Sequence, residues 1–276
     1  MKQRIITGVV MALILIPILL LGSWFMVACA GLLAYIGTYE LIKMHCERGK
    51  LSNIDQYIIP LASTFIVTLG GFVMLTDYVN LEHMFLALLS ILFIVMIFSL
   101  ITKNHKTSDF MIFYSFILYG GLGVFLAVSS RFISVINGVV VDYVGLVLLG
   151  YLAISTMTTD IGAYMFGSLF GKHKLCPTIS PKKTIEGAIG GIVFSAIFIF
   201  VTMFLFGNIN FYILLLTIPL CILGIMGDLF ASVIKRSVGI KDFGNLIPGH
   251  GGVLDRVDSI IMIVPAMFLL YTINII

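Results

Sequence analysis

EGAIGGIVFSAIFIFVTMFLF, residues 186–206, decides the fold. Beyond Glu186 it carries no charge and no proline, and at about 1.5 Å per residue a helix of this length covers a hydrocarbon core about 30 Å thick. Such a run is a membrane span. The whole chain has the same character: of 276 residues 60% are hydrophobic and 11% charged, against roughly 45–50% and 25% in a soluble domain. A soluble globular protein is excluded, and no room remains for a separate soluble domain of ordinary size. Twenty-two Phe, 14 Met and 27 Gly against one Trp fit lipid-facing and closely packed helices.

Working outward from that span, apolar runs bounded by charges or turn residues give about nine candidates: 5–21, 24–43, 57–76, 83–102, 110–130, 143–168, 186–206, 210–229 and 257–276. With the N-terminus inside, only Arg131 of the 16 basic residues falls outside, which satisfies the positive-inside rule. The expectation is an all-α polytopic membrane protein with a cytoplasmic N-terminus and an external C-terminus. It forms one transmembrane domain over 1–276, with scaffold helices in 1–130 and a catalytic part in 143–276 that carries cytoplasmic loops 171–186 and 232–258. The opening MKQR and its apolar run imitate a signal peptide, but no small-residue cleavage site follows, so the run reads as a retained first span. Cys29, Cys46, Cys176 and Cys221 are too scattered for a zinc site or a disulfide frame. The formal charge of +3 does not suggest a nucleic-acid partner.

The external connections are nearly bare, whereas the two cytoplasmic loops are rich in Gly, Pro, Lys and Asp. The denser one reads SVIKRSVGIKDFGNLIPGHGGVLDRVD, from Ser232 to Asp258. A charge anchor explains Lys235, Arg236, Lys241 and Arg256, but not the interleaved Asp242, Asp255 and Asp258 or the Gly251-Gly252 pair after His250. Glycines let backbone N–H groups approach phosphate oxygens, and Lys and Arg supply charge against a polyphosphate.

Asp228 ends an otherwise apolar span, where an ionisable group is a functional candidate by default. If the helix continues, Asp228, Ser232 and Lys235 share a face. The alternative role for Asp228 is a structural partner of Lys235. Asp255 and Asp258 share a face in the same manner, so two helix ends can offer carboxylates to Mg²⁺, whose remaining shell comes from water and phosphate. In the loop before residue 186, Ser180-Pro181-Lys182-Lys183-Thr184 presents two lysines in a proline-stiffened turn, with Ser180 or Thr184 available as a helix cap. Asp160 lies roughly 12 Å inside the end of its helix, beside Thr158 and Thr159. It suggests a polar pocket, or alternatively a helix-to-helix hydrogen bond. Glu40 reads as an interfacial acid satisfied by Lys43. The histidines other than His250 read as ordinary polar residues.

The run from Ser232 to Asp258 resembles the signature of the phosphatidate cytidylyltransferases, or CDP-diacylglycerol synthases: Ser232, Lys235-Arg236, Lys241-Asp242, Gly244, Pro248, His250-Gly251-Gly252, Asp255-Arg256 and Asp258. The resemblance extends to DIGAYMFG from Asp160, GKHKL from Gly171 and SPKKTIEG from Ser180, and in the first half only to hydropathy and the opening RIITG. It implies the conversion of CTP and phosphatidic acid to CDP-diacylglycerol and pyrophosphate by a polytopic homodimer. The reaction would take place at the cytoplasmic face of the cell membrane with Mg²⁺, and a second cation stays open. By position, Asp228 and Asp255 look like the family's metal-binding aspartates.

On this reading Lys182, Lys183, Lys235, Arg236, Lys241 and Arg256 divide the phosphates, helped by Ser180, Thr184, Ser232, Asp242, Gly251 and Gly252. His250 donates to a phosphate or a leaving oxygen, while Asp160 and Asp258 orient basic groups or join a second metal site. The rival reading is an ion-coupled secondary transporter with intramembrane acids. Against it, the charges gather at one face, and no internal repeat is visible. The DGxxAR and DDxxD boxes of other membrane transferases are absent.

Overall fold

The computed structural model describes residues 2–46, 55–76, 107–131, 135–136, 139–140, 144–205, 207, 211–249 and 251–272. In chain order these form α1 (Lys2–Leu21), α2 (Ser23–Cys46), α3 (Asp55–Thr76) and α4 (Thr107–Phe116), which passes through a π-helical turn (Ile117–Leu122) into α5 (Gly123–Arg131). Then come strands β1 (Val135–Ile136) and β2 (Val139–Val140), helix α6 (Val144–Phe170), strands β3 (Lys174–Cys176) and β4 (Ser180–Thr184), and helices α7 (Ile185–Leu205), α8 (Phe211–Ser237) and α9 (Leu254–Thr272).

The chain is a helical membrane protein. Trp24–His45, Met111–Arg131, Gly145–Phe170, Ile185–Leu205 and Phe211–Ser237 are long and apolar enough to cross a bilayer, while Ile6–Leu21 and Tyr57–Phe72 are shorter apolar stretches. The expected span at 83–102 lies outside the described residues. Strands depart from the all-α expectation: β1 and β2 pair antiparallel (Val135↔Val140), and so do β3 and β4 (Lys174↔Thr184, Cys176↔Ser180). In the second pair Pro181 holds Ser180 extended and cannot itself donate to a ladder, so a two-stranded hairpin suits this segment better than a simple turn.

Two compact units each have their own core. The first comprises Met1–Ile133 and Asp242–Arg256. Here α2 and α3 pack closely because Gly31 and Gly71 admit Thr68 and Val27: a Cβ at Gly31 would stand 2.9 Å from the Thr68 methyl and one at Gly71 2.5 Å from Val27. The π turn brings in Gly120 and Gly121, where added Cβ atoms would meet Thr38 Oγ1 at 2.6 Å and Ser63 at 3.2 Å. Gly22, at φ 59°, separates α1 from α2. Arg131 donates from Nε to Leu19 O at 3.1 Å, a cation at the carbonyl end of a helix.

The second unit comprises Ser134–Lys241 and Val257–Ile276. Antiparallel α6 and α7 cross at their backbones. A Cβ on Gly191 would lie 2.6 Å from Thr159 O and one on Gly187 2.7 Å from Ala163 O. On α7 the buried residues Gly187, Gly191, Ser195 and Ile199 recur every fourth position, while Ile189, Val193, Ile197 and Val201 are exposed on the outer face. Between helices, Thr158 donates to Ser195 Oγ at 2.9 Å, Thr159 to Cys221 Sγ at 3.1 Å, and the Tyr151 hydroxyl meets Thr217 at 2.9 Å. Among the described residues Cys29, Cys176 and Cys221 are free thiols.

Gly191→Leu should destabilise this crossing by about 1–3 kcal/mol or more through overpacking, read as a lowered thermal midpoint in detergent. Ile189→Leu on the exposed face should leave that midpoint nearly unchanged.

Candidate functional site

In the second unit the β3–β4 hairpin is fastened at the start of α7. Glu186, in the first helical turn, accepts the backbone N–H of Lys172 (3.1 Å) and of His173 (3.2 Å) and meets His173 Nδ1 at 2.6 Å. A carboxylate there also complements the helix dipole. Thr184 is the helix cap: its Oγ1 accepts the Gly187 N–H at 3.1 Å. Ser180 is half-buried and Lys182 exposed.

From β4 the Lys183 ammonium reaches α8 and pairs with Asp228. Both side chains stay partly accessible, at 29% and 30%. Asp228 therefore pairs with Lys183 of the hairpin.

Helix α8 does continue past residue 229, to Ser237, and places Asp228, Ser232 and Lys235 on one face. Ser232 and Lys235 are buried. The helix ends in a Schellman motif: Gly239 (φ 74°) donates to Arg236 O at 3.0 Å and Ile240 to Lys235 O at 3.0 Å. Arg236 joins this end to the hairpin, donating from Nε to Ile179 O (3.3 Å) and from one terminal nitrogen to Ile240 O (2.7 Å).

Asp160 is exposed, and with Thr156, Thr159, Cys221, Gly224 and Ser259 it lines a small opening one turn before Asp228. Asp258 is buried at the start of α9 and accepts the Ser259 N–H at 2.8 Å. Lys241 is exposed.

In the first unit the segment 242–256 closes on itself. Ile247 and Gly251 exchange backbone hydrogen bonds (2.9 and 3.1 Å) around a tight loop that includes Gly249 at φ 77°, with Gly251 at φ 90°. His250, expected at its tip, lies outside the described residues. Asp255 Oδ2 accepts the N–H groups of Phe243 and Gly252, both at 2.9 Å. Asp242 and Arg256 are exposed.

The residue the sequence reading misassigned is Glu40. It is buried in α2, and its carboxylate accepts the N–H of Val253 at 3.0 Å and of Leu254 at 3.1 Å. Lys43, its expected partner, is exposed, and among the described residues no ion pair joins the two. An acid within an apolar run was the available signal.

Among the described residues no group of three or more His, Cys, Asp or Glu forms a metal cage. Mg²⁺ held by one or two carboxylates, with water and substrate phosphate completing its shell, needs none. Asp228 fits that demand: its side chain is partly accessible and its partner is a lysine side chain rather than the backbone. Asp255 fits less well: it is buried, and its Oδ2 already accepts two backbone N–H groups.

A hydrophobic helical scaffold that sets Lys183 beside the partly accessible Asp228 has the kind of charge arrangement that phosphate chemistry at a membrane requires. The sequence profile described as "Cytidylyltransferase family" matches residues 2–274. The chain is 37% identical over 276 residues to the phosphatidate cytidylyltransferase of Staphylococcus haemolyticus. It is 36% identical over 273 residues to that of Staphylococcus epidermidis and 34% over 278 residues to that of Staphylococcus aureus strain COL, with 98% of each chain covered in all three comparisons. This chain belongs to the Cytidylyltransferase family.

Thr184→Ala should cost about 1 kcal/mol through loss of the cap and lower the thermal midpoint. Thr184→Ser, which keeps the accepting oxygen, should restore most of it.

Proposed function

We propose that this chain joins CTP to phosphatidic acid, giving CDP-diacylglycerol and pyrophosphate. The observation that carries the reading is the Lys183–Asp228 pair. An ammonium and a carboxylate that neutralise each other at rest can separate onto a phosphate and a cation when a nucleotide arrives.

The nucleophile is the phosphate of phosphatidic acid, already anionic near neutral pH, so no activated Ser or His is required. One of its oxygens bonds to the α-phosphorus of CTP, the bond from that phosphorus to the bridging oxygen breaks, and pyrophosphate leaves with the electron pair. The protein's task is placement and charge neutralisation. Lys182, Lys183, Lys235 and Arg236 supply positive charge from the hairpin and α8, and Lys241 and Arg256 supply it from the signature loop. Ser180, Thr184 and Ser232 contribute hydroxyls, and Gly251 and Gly252 allow close backbone approach. His250 donates to a phosphate or leaving oxygen, while Asp160, Asp242 and Asp258 orient the basic groups.

Asp228 and Asp255 are each proposed as ligands of Mg²⁺, which when bound neutralises the triphosphate. The same reading includes about nine spans with the N-terminus inside, a site facing the cytoplasm at the cell membrane, and a homodimer. The one-sided distribution of Lys and Arg supports that orientation.

Purified protein with phosphatidic acid, labelled CTP and Mg²⁺ should form lipid-linked CMP. Asp228→Asn and Asp255→Asn should each lower turnover about 100-fold or more with folding intact. Near-normal turnover removes the metal assignment, and nucleotide-independent counterflow in proteoliposomes without any lipid-linked CMP overturns the whole reading in favour of transport.

A further inference from the structure

Glu40 stands apart from every group used above. It lies in the first unit, 213 residues before the N–H groups it binds, in a helix otherwise read as scaffold. Only 7% of it is exposed. Burial of a carboxylate is costly unless hydrogen bonds compensate it, and here both oxygens are used, Oε1 on the Val253 N–H and Oε2 on the Leu254 N–H. These are N–H groups at the start of α9, where a helix has no internal acceptors and its dipole favours an anion. An ordinary cap needs only a neutral Ser, Thr or Asn from the same chain segment.

The signature loop closes on this carboxylate from two sides. A Cβ added at Gly244 would stand 2.5 Å from Oε1, and one added at Gly252 would stand 2.5 Å from Oε2. Neither glycine has a positive φ, so what these positions require is space rather than an unusual backbone. Gly252 also donates its N–H to Asp255 Oδ2, as does Phe243. Glu40 and Asp255 therefore hold the backbone of Gly252, Val253 and Leu254 between them, and Asp255 ties Phe243, nine residues earlier, to the same place.

We infer that Glu40 is a positioning residue for the reaction: its carboxylate sets the backbone at Val253 and Leu254 and, through it, the aim of Asp255. This rests on the assignment of that loop to phosphate and cation handling.

Glu40→Gln keeps shape but turns one acceptor into a donor facing an N–H. The full-length enzyme carrying it should fold and yet show a KM for CTP or an Mg²⁺ midpoint raised about tenfold, as expected when a charge-assisted hydrogen bond that aligns the site is lost. Glu40→Asp, which keeps charge but falls one methylene short, should lie between. Loss of stability alone would lower Vmax with the active fraction and leave both constants in place. Constants within about twofold of wild type therefore overturn the role.

A second measurement reads the seat itself. Gly244→Ala should lower the thermal midpoint in wild type but much less in a Glu40→Ala background, where the colliding oxygens are gone. Additive losses overturn the seat without touching the activity. A wild-type enzyme that forms no lipid-linked CMP overturns the underlying reading, and the positioning role with it, while leaving the thermal comparison interpretable.

Discussion

Hydrocarbon offers no hydrogen-bond partner, so every polar group that the chain takes into a membrane must be answered from within. Helices follow for the backbone. Several side-chain hydroxyls are answered in the same way: Ser63, Thr64, Ser129, Thr158, Thr159 and Thr202 each donate to the carbonyl four residues earlier. Several then have a second contact with a neighbouring helix, as Thr158 does with Ser195 and Thr159 with Cys221. Close approach of helices is left to glycine, because lipid tails provide no apolar drive for helices to associate and packing must do the work. The same requirement explains why the acids are the informative residues. Glu40 and Asp255 accept backbone N–H groups and Glu186 accepts both backbone N–H groups and the His173 ring, whereas Asp228 is paired with a lysine. A lysine pair can be exchanged for a substrate without unravelling a helix end or a loop.

The apolar runs were legible because a hydrophobic stretch is a local property, and helices stand at each expected position within the described residues. The hairpin at 174–184 was not, since its strands are too short and too charged to show the alternation that marks a half-buried strand. Thr184 as a cap was legible, because capping depends on residues three apart. Asp228, Ser232 and Lys235 were rightly expected on one face.

The pairing of Asp228 was harder. Seven residues along a helix separate Asp228 from Lys235 by about 10 Å along the axis, whereas Lys183, 45 residues away in sequence, comes from another element. Partnerships of that kind leave no spacing to read. Glu40 is the extreme case: nothing near it indicates that its partners are backbone groups of Val253 and Leu254. Gly252 was read as allowing phosphate approach, and the closeness of both Gly244 and Gly252 to Glu40 supplies a steric reason for their size.

That separation has a consequence for how the protein is made. Chain synthesis proceeds at about 5–20 residues per second, so the 213 residues between Glu40 and Val253 take roughly ten to forty seconds to appear. Throughout that interval α2 exists without the N–H groups that compensate its carboxylate in the finished molecule. The acid must meanwhile be hydrated, protonated or held by a temporary partner. The first unit is thus completed only once residues 242–256 have emerged, and a ribosome that stalls before residue 253 leaves an unfinished membrane protein marked by an uncompensated acid.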